Sequence, residues 1–133
     1  MTLEELQELA EKDLKINDTE LDLESLKTPQ LHNKYLKFLN KWKLLLSKAQ
    51  IDYYTMRKEK WEYYTGKAPQ QVYAEKPFNL KILKTDIDKY MDADPELVKL
   101  KSWYFKCKIL AKFSTNISLC FYFEIYFIYF IYD

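Results

Sequence analysis

Apolar residues along this chain recur three and four apart, the spacing of one helix face. Leu3, Leu6, Leu9/Ala10 and Leu14 make the first such stripe, and Thr2 with Glu5 has capping-box spacing, so a helix is expected to open at residue 3. Ile16-Asn17-Asp18-Thr19 breaks the rhythm. A second stretch begins near Asp18 or Thr19, with Leu21, Leu23 and Leu26 as its apolar positions. Thr28-Pro29 then reads as an N-cap followed by proline at the first helical position, where a missing N–H costs nothing. From there Leu31, Tyr35, Phe38, Trp42, Leu45 and Ala49 alternate four and three apart as heptad core positions, with Leu39, Leu46 and Tyr53 widening the stripe. Lys27, Lys34, Lys41 and Lys48 run along one edge of it. The pattern predicts one helix over 29–65, ended by Gly66 at C′. At about 1.5 Å per residue that helix is roughly 54 Å long, too long for one compact domain. Leu31, Tyr35, Phe38, Trp42 and Leu45 are therefore expected to form a seam between subunits.

Residues 67–83 contain Pro69 and Pro77 and read as a loop, and Lys84 to Tyr90 is weakly helical. Asp94-Pro95 repeats the N-cap and N1 pattern, with Glu96 in the first turn where acids suit the helix dipole. Leu97, Leu100, Tyr104, Cys107 and Leu110/Ala111 give a C-terminal helix over 95–113. The expectation is a mainly α-helical, elongated protein with a long central helix and a C-terminal helix, assembling into a homo-oligomer. Its organised part is 1–113, followed by an atypical tail, 114–133. That tail is Phe/Tyr/Ile-rich, has no lysine or arginine after Lys112 and shows no 3.6-residue rhythm. Three origins stay open for it: a membrane anchor, an apolar oligomerisation segment, or translation of a shifted reading frame. Ile117 to Tyr132 falls short of the roughly 20 apolar residues that cross a bilayer.

Composition removes most chemistries. His32 is the only histidine and Gly66 the only glycine, so His-based metal clusters, catalytic triads, P-loops and dinucleotide fingerprints have no support. Cys107 and Cys120 make no Cys-x-x-Cys pair and fit a reducing compartment. Asp86, Asp88, Asp92 and Asp94 lack the glycine and terminal glutamate of a calcium loop. The acidic, amphipathic start is not a signal peptide. No enzyme activity, metal or cofactor is expected.

Net charge is only +1, but it is distributed unevenly. Residues 1–26 carry nine acids and two bases, whereas residues 27–67 carry ten bases and three acids. Within the basic block, residues 57–67 place Arg57, Lys58, Lys60 and Lys67 among Trp61, Tyr63 and Tyr64. Cations neutralise phosphates and flat rings stack on unpaired bases, the combination a sequence-tolerant binder of single strands needs. The plainer reading of the same letters is a charged helix end with its aromatics in the core.

Lys58-Glu59-Lys60-Trp61-Glu62-Tyr63-Tyr64-Thr65-Gly66-Lys67 resembles the Lys-x-(Arg/Lys)-x-(Asp/Glu)-Tyr-Tyr-(Ser/Thr)-Gly-(Arg/Lys) segment of the UvsY recombination mediators of large tailed bacteriophages. The opening Leu3-Glu4-Glu5-Leu6-Gln7, Lys12-Asp13 with Asp18-Thr19, Lys34-Tyr35-Leu36, and Ala93-Asp94 with Leu97-Val98-Lys99 add to the resemblance, which runs from Leu3 to Phe113. It implies a helical, ring-forming homo-oligomer that binds single-stranded DNA. Such a protein helps the phage recombinase, a UvsX-like protein, onto strands covered by the phage single-strand-binding protein, in the cytoplasm of the infected bacterium. It implies Lys58, Lys60 and Lys67 as DNA contacts; Arg57, Trp61, Tyr63 and Tyr64 are added here from charge and stacking. Lys60 stands where the family also uses arginine, keeping the charge without the planar fork. The acidic 4–26 arm is the candidate for recombinase contact, and no membrane partner is expected. The competing function is a helical scaffold that binds only protein.

Overall fold

The computed structural model describes the backbone of residues 1–132 and the side chains of residues 1–124. In chain order the helices are α1 (Leu3–Asp13), α2 (Leu21–Tyr64), α3 (Gln70–Glu75), α4 (Ile87–Asp92) and α5 (Pro95–Tyr132), with no strand among the described residues. They contribute to two compact units, Met1–Leu45 together with the chain from Cys107 onward, and Leu46–Lys106.

In the first unit α1 opens on the capping box read from the sequence. The Glu5 N–H donates to Thr2 Oγ1 at 3.2 Å and the Thr2 N–H donates to Glu5 Oε2 at 2.8 Å. The start of α2 corrects the sequence reading: Pro29 lies inside the helix and does not open it. Helical hydrogen bonds begin at the Glu20 carbonyl, which accepts from the Leu23 and Glu24 N–H groups. Thr28 donates its hydroxyl to the Glu24 carbonyl at 3.2 Å and caps nothing. A helix already nucleated upstream tolerates the one backbone bond that an internal proline removes. Leu21, Leu23 and Leu26 are exposed in spite of their apolar character.

Leu6 and Ala10 of α1, Tyr35, Leu39 and Trp42 of α2, and Cys107, Leu110, Ala111, Ile117 and Phe121 of α5 are buried. Asp13 accepts from the Lys34 ammonium at 2.6 Å and the Tyr35 hydroxyl at 2.8 Å, and Tyr35 stacks on Phe121 with centroids 5.4 Å apart. The face expected to meet other subunits is thus turned into the chain's own packing at Tyr35 and Trp42, while Leu31, Phe38 and Leu45 are half-buried.

α5 crosses residues 113 and 114 without a break. Cys107, Leu110/Ala111, Ser114, Ile117/Ser118 and Phe121 are buried and fall three and four apart. The tail therefore does carry a helical rhythm as far as Phe121. Two serines occupy core positions, and apolar letters on the exposed side hide the stripe in the sequence. The side chains of 125–133, part of the atypical segment, lie outside the described residues. Among the described residues no helix is long and apolar enough to cross a membrane.

The second unit packs around Ile87 and Met91 of α4 and Leu97 of α5, against Tyr53, Met56 and Tyr64 of α2 and the Ile82 side chain. Tyr53 stacks on Tyr104 with an interplanar angle of 5°. α2 ends at Gly66 as the sequence predicts. The Lys67 N–H donates to the Glu62 carbonyl at 2.8 Å and the Gly66 N–H to the Tyr63 carbonyl at 3.3 Å, the paired bonds of a Schellman cap. Gly66 has φ +78°, and among the described residues no atom beyond its chain neighbours lies within 4 Å of where a Cβ would stand. Gly66→Ala is therefore expected to cost about 1 kcal/mol through backbone strain alone. Urea denaturation should show a lower midpoint at unchanged m.

Candidate nucleic-acid interface

The basic-aromatic segment occupies the last turns of α2, within the second unit, and its residues divide into two sets. Tyr54, Arg57, Lys58 and Trp61 are all exposed. They stand at i, i+3, i+4 and i+7, so they share one helix face. They line an open cavity of about 360 Å³ whose other walls are Asp88 and Met91. Among the described residues Lys58 holds only a long ion pair to Glu62, at 3.7 Å, with its own side chain 74% exposed. The Lys67 ammonium sits 4.5 Å from the centre of the Trp61 ring, a cation–π contact that leaves its charge at the surface. Tyr54 was missed in the sequence reading. The signal that could have found it was its position one turn before Arg57 and two before Trp61.

Lys60, Tyr63 and Tyr64 face the other way. The Lys60 ammonium lies 3.0 Å from Asp94 Oδ2 and 2.9 Å from Glu96 Oε2, and its side chain is only 14% exposed. Glu96 also pairs with Lys76 at 2.9 Å. The Tyr64 hydroxyl donates to Asp94 Oδ2 at 2.9 Å, while Asp94 Oδ1 accepts from the Glu96 and Leu97 N–H groups and so caps α5 as its sequence predicts. Burial disfavours the ionised Asp94, but the hydrogen bonds from Lys60, Leu97 and Tyr64 outweigh it and hold its pKa below 3.8. Burial likewise disfavours the Lys60 ammonium, yet Glu96 and Asp94 raise its pKa above 10.5. The Tyr64 phenol is pushed up to about 12 by burial and by Asp94. Lys60 is thus held between two carboxylates, which saturate the charge a phosphate would need.

Tyr63 is half-buried and stacks on Tyr73 with centroids 5.5 Å apart, and Phe78 lies 5.3 Å away. Tyr73 donates its hydroxyl to the Tyr63 carbonyl at 2.8 Å, adding a side-chain clamp to the end of α2. Two of the rings expected to stack on bases, Tyr63 and Tyr64, thus meet each other edge to face with centroids 5.2 Å apart. Of the four aspartates weighed as a calcium loop, Asp86 pairs with Lys89, Asp92 with Lys101, and Asp94 with Lys60.

A family model described as the recombination, repair and ssDNA binding protein UvsY matches residues 9–118. Two crystal structures of the bacteriophage T4 recombination mediator protein UvsY, lattice types II and IV, resemble this fold with TM-scores of 0.85 and 0.79. Each match covers 100% of this chain, with 94% and 95% of the T4 chains, at 23% and 22% identity. At that identity the likeness is one of fold. Curated proteins give no significant match.

Proposed function

This chain belongs to the UvsY family, and from that premise we propose that it is a recombination mediator that binds single-stranded DNA through Tyr54, Arg57, Lys58, Trp61 and Lys67. The observation that carries the reading is the single helix face on which exposed Tyr54 and Trp61 bracket the cations Arg57 and Lys58. Rings at that spacing offer stacking platforms for unpaired bases, and the cations between them neutralise the intervening phosphates. Lys60, Tyr63 and Tyr64 act indirectly, by fixing the end of α2. The protein works as a homo-oligomer that helps a UvsX-like recombinase displace the phage single-strand-binding protein in the cytoplasm of the infected bacterium. The acidic arm, with Ile16, Leu21, Leu23 and Leu26 exposed along it, is the surface proposed for the recombinase.

The test is the affinity of the full-length protein for a labelled oligothymidine across salt concentration. Binding should weaken linearly in log–log form, with a slope of about −0.7 for each phosphate neutralised. Three or more contacts per subunit require a slope of about −2 or steeper. Salt-independent binding, or none by an intact oligomer, would replace the DNA reading with the protein scaffold.

A further inference from the structure

Beside the α2 face, and wholly within the second unit, an open cleft of about 800 Å³ runs around the end of α2. Its size falls in the roughly 300–1,000 Å³ range of small-ligand sites. Trp61, Tyr73 and Phe78 supply aromatic surface, Lys67, Lys81 and Lys84 supply charge, and among the described residues no carboxylate lines it. Among the described residues Lys67, Lys81 and Lys84 make no ion pair, unlike Lys60 and Lys76 on the other side of the Tyr63–Tyr64 wall. The neighbouring cavity there, of about 680 Å³, is lined by Glu59, Glu62, Glu75, Asp94 and Glu96. One side of the wall thus repels a polyanion and the other attracts it. Asn79, exposed at the cleft, has an amide that can both donate to and accept from a base edge.

We propose that this cleft is a second binding site for the same strand, holding an unstacked nucleotide whose base lies against Phe78 and Tyr73 and whose flanking phosphates meet Lys81 and Lys84. It rests on the single-stranded-DNA reading and extends it. Trp61 lines both the α2 cavity and the cleft, so the strand passes from Tyr54 over Trp61 and turns in at Gly66. Gly66 suits the bend because no side chain projects from it into the path.

Two readouts on the full-length protein test the site. Irradiation with an oligothymidine carrying 5-iodouracil, followed by peptide mass spectrometry, should give adducts at Phe78 or Tyr73 as well as at Trp61. Lys81→Ala/Lys84→Ala should make the salt slope shallower by about 1.4 and weaken binding, while circular dichroism and thermal unfolding stay unchanged because both side chains are exposed. Adducts confined to Tyr54 and Trp61, or a salt slope unchanged in the double variant, overturn the cleft and leave the α2 face standing. Failure of the unaltered protein to bind the oligonucleotide overturns both.

Discussion

Lys60→Met is expected to lower stability by about 3 kcal/mol, the largest loss foreseen for any charged residue of the second unit. Methionine keeps the aliphatic stem, so the effect isolates the charge. Asp94, 5% exposed, would be left ionised with no cation, beside a Glu96 that keeps only Lys76. Breaking a buried pair by removing one partner costs more than the pair contributes, because the other charge stays buried and unpaired. Adding Asp94→Asn removes that stranded charge while keeping an oxygen for the α5 N–H groups and placing an NH2 that can donate to the Tyr64 hydroxyl oxygen. The double variant should therefore be at least about 1 kcal/mol more stable than the two single losses predict by addition. Additive losses in urea denaturation would mean that the three charges do not act as a unit. Arg57→Ala, on the open face, should move stability by no more than about 0.5 kcal/mol.

The same cluster gives stability a defined pH dependence. Asp94 and Glu96 have folded pKa values below their usual 3.8 and 4.5, so their contribution is complete above those values and is lost as pH falls beneath them. Lys60 and Tyr64 are raised above their usual 10.5 and 10.0. Their contribution is complete below those values and is lost as pH rises toward 12 and beyond. Stability from this cluster should be level between about pH 5 and pH 9, the interval in which none of its groups titrates.

What could be read from sequence was whatever is decided within one turn of chain. The Thr2–Glu5 box, Gly66 at C′ and Asp94-Pro95 were all legible because a cap is chosen by a side chain and its own nearest N–H or C=O groups. Pro29 was misread because Thr-Pro carries the same letters at a helix start and inside a helix, and only the hydrogen bonds upstream at Glu20 distinguish them. The inward turn of Lys60 was beyond local reasoning. Its partners, Asp94 and Glu96, lie more than thirty residues away and reach it only after the loop, α3 and α4 have intervened. The outward set was closer to hand: once the helix is granted, Tyr54, Arg57, Lys58 and Trp61 share a face by spacing alone. In the C-terminal stretch the buried stripe includes Ser114 and Ser118, so a search for apolar letters passes over the pattern that packs Phe121 on Tyr35.

Trp61→Ala should weaken binding of an oligothymidine by roughly 5- to 150-fold, the loss of one base-stacking platform, and should leave the salt slope unchanged. Arg57→Ala/Lys58→Ala should do the converse in kind: the slope becomes shallower by about 1.4, so the deficit is large at low salt and shrinks as salt rises. The two signatures separate because a stacked base releases no counterion and a neutralised phosphate does. Lys67 lies between these cases. In the free protein its ammonium covers the Trp61 ring, the surface a base would take. Binding would then move Lys67 off the ring and onto a phosphate, so Lys67→Ala should reduce the slope by about 0.7 while uncovering the stacking surface. The net affinity loss should be smaller than for Lys58→Ala. A Trp61→Ala protein whose slope is shallower by about 0.7, like that of Lys67→Ala, would mean that Trp61 only props Lys67 in place. The aromatic half of the interface would then fall, leaving an electrostatic one.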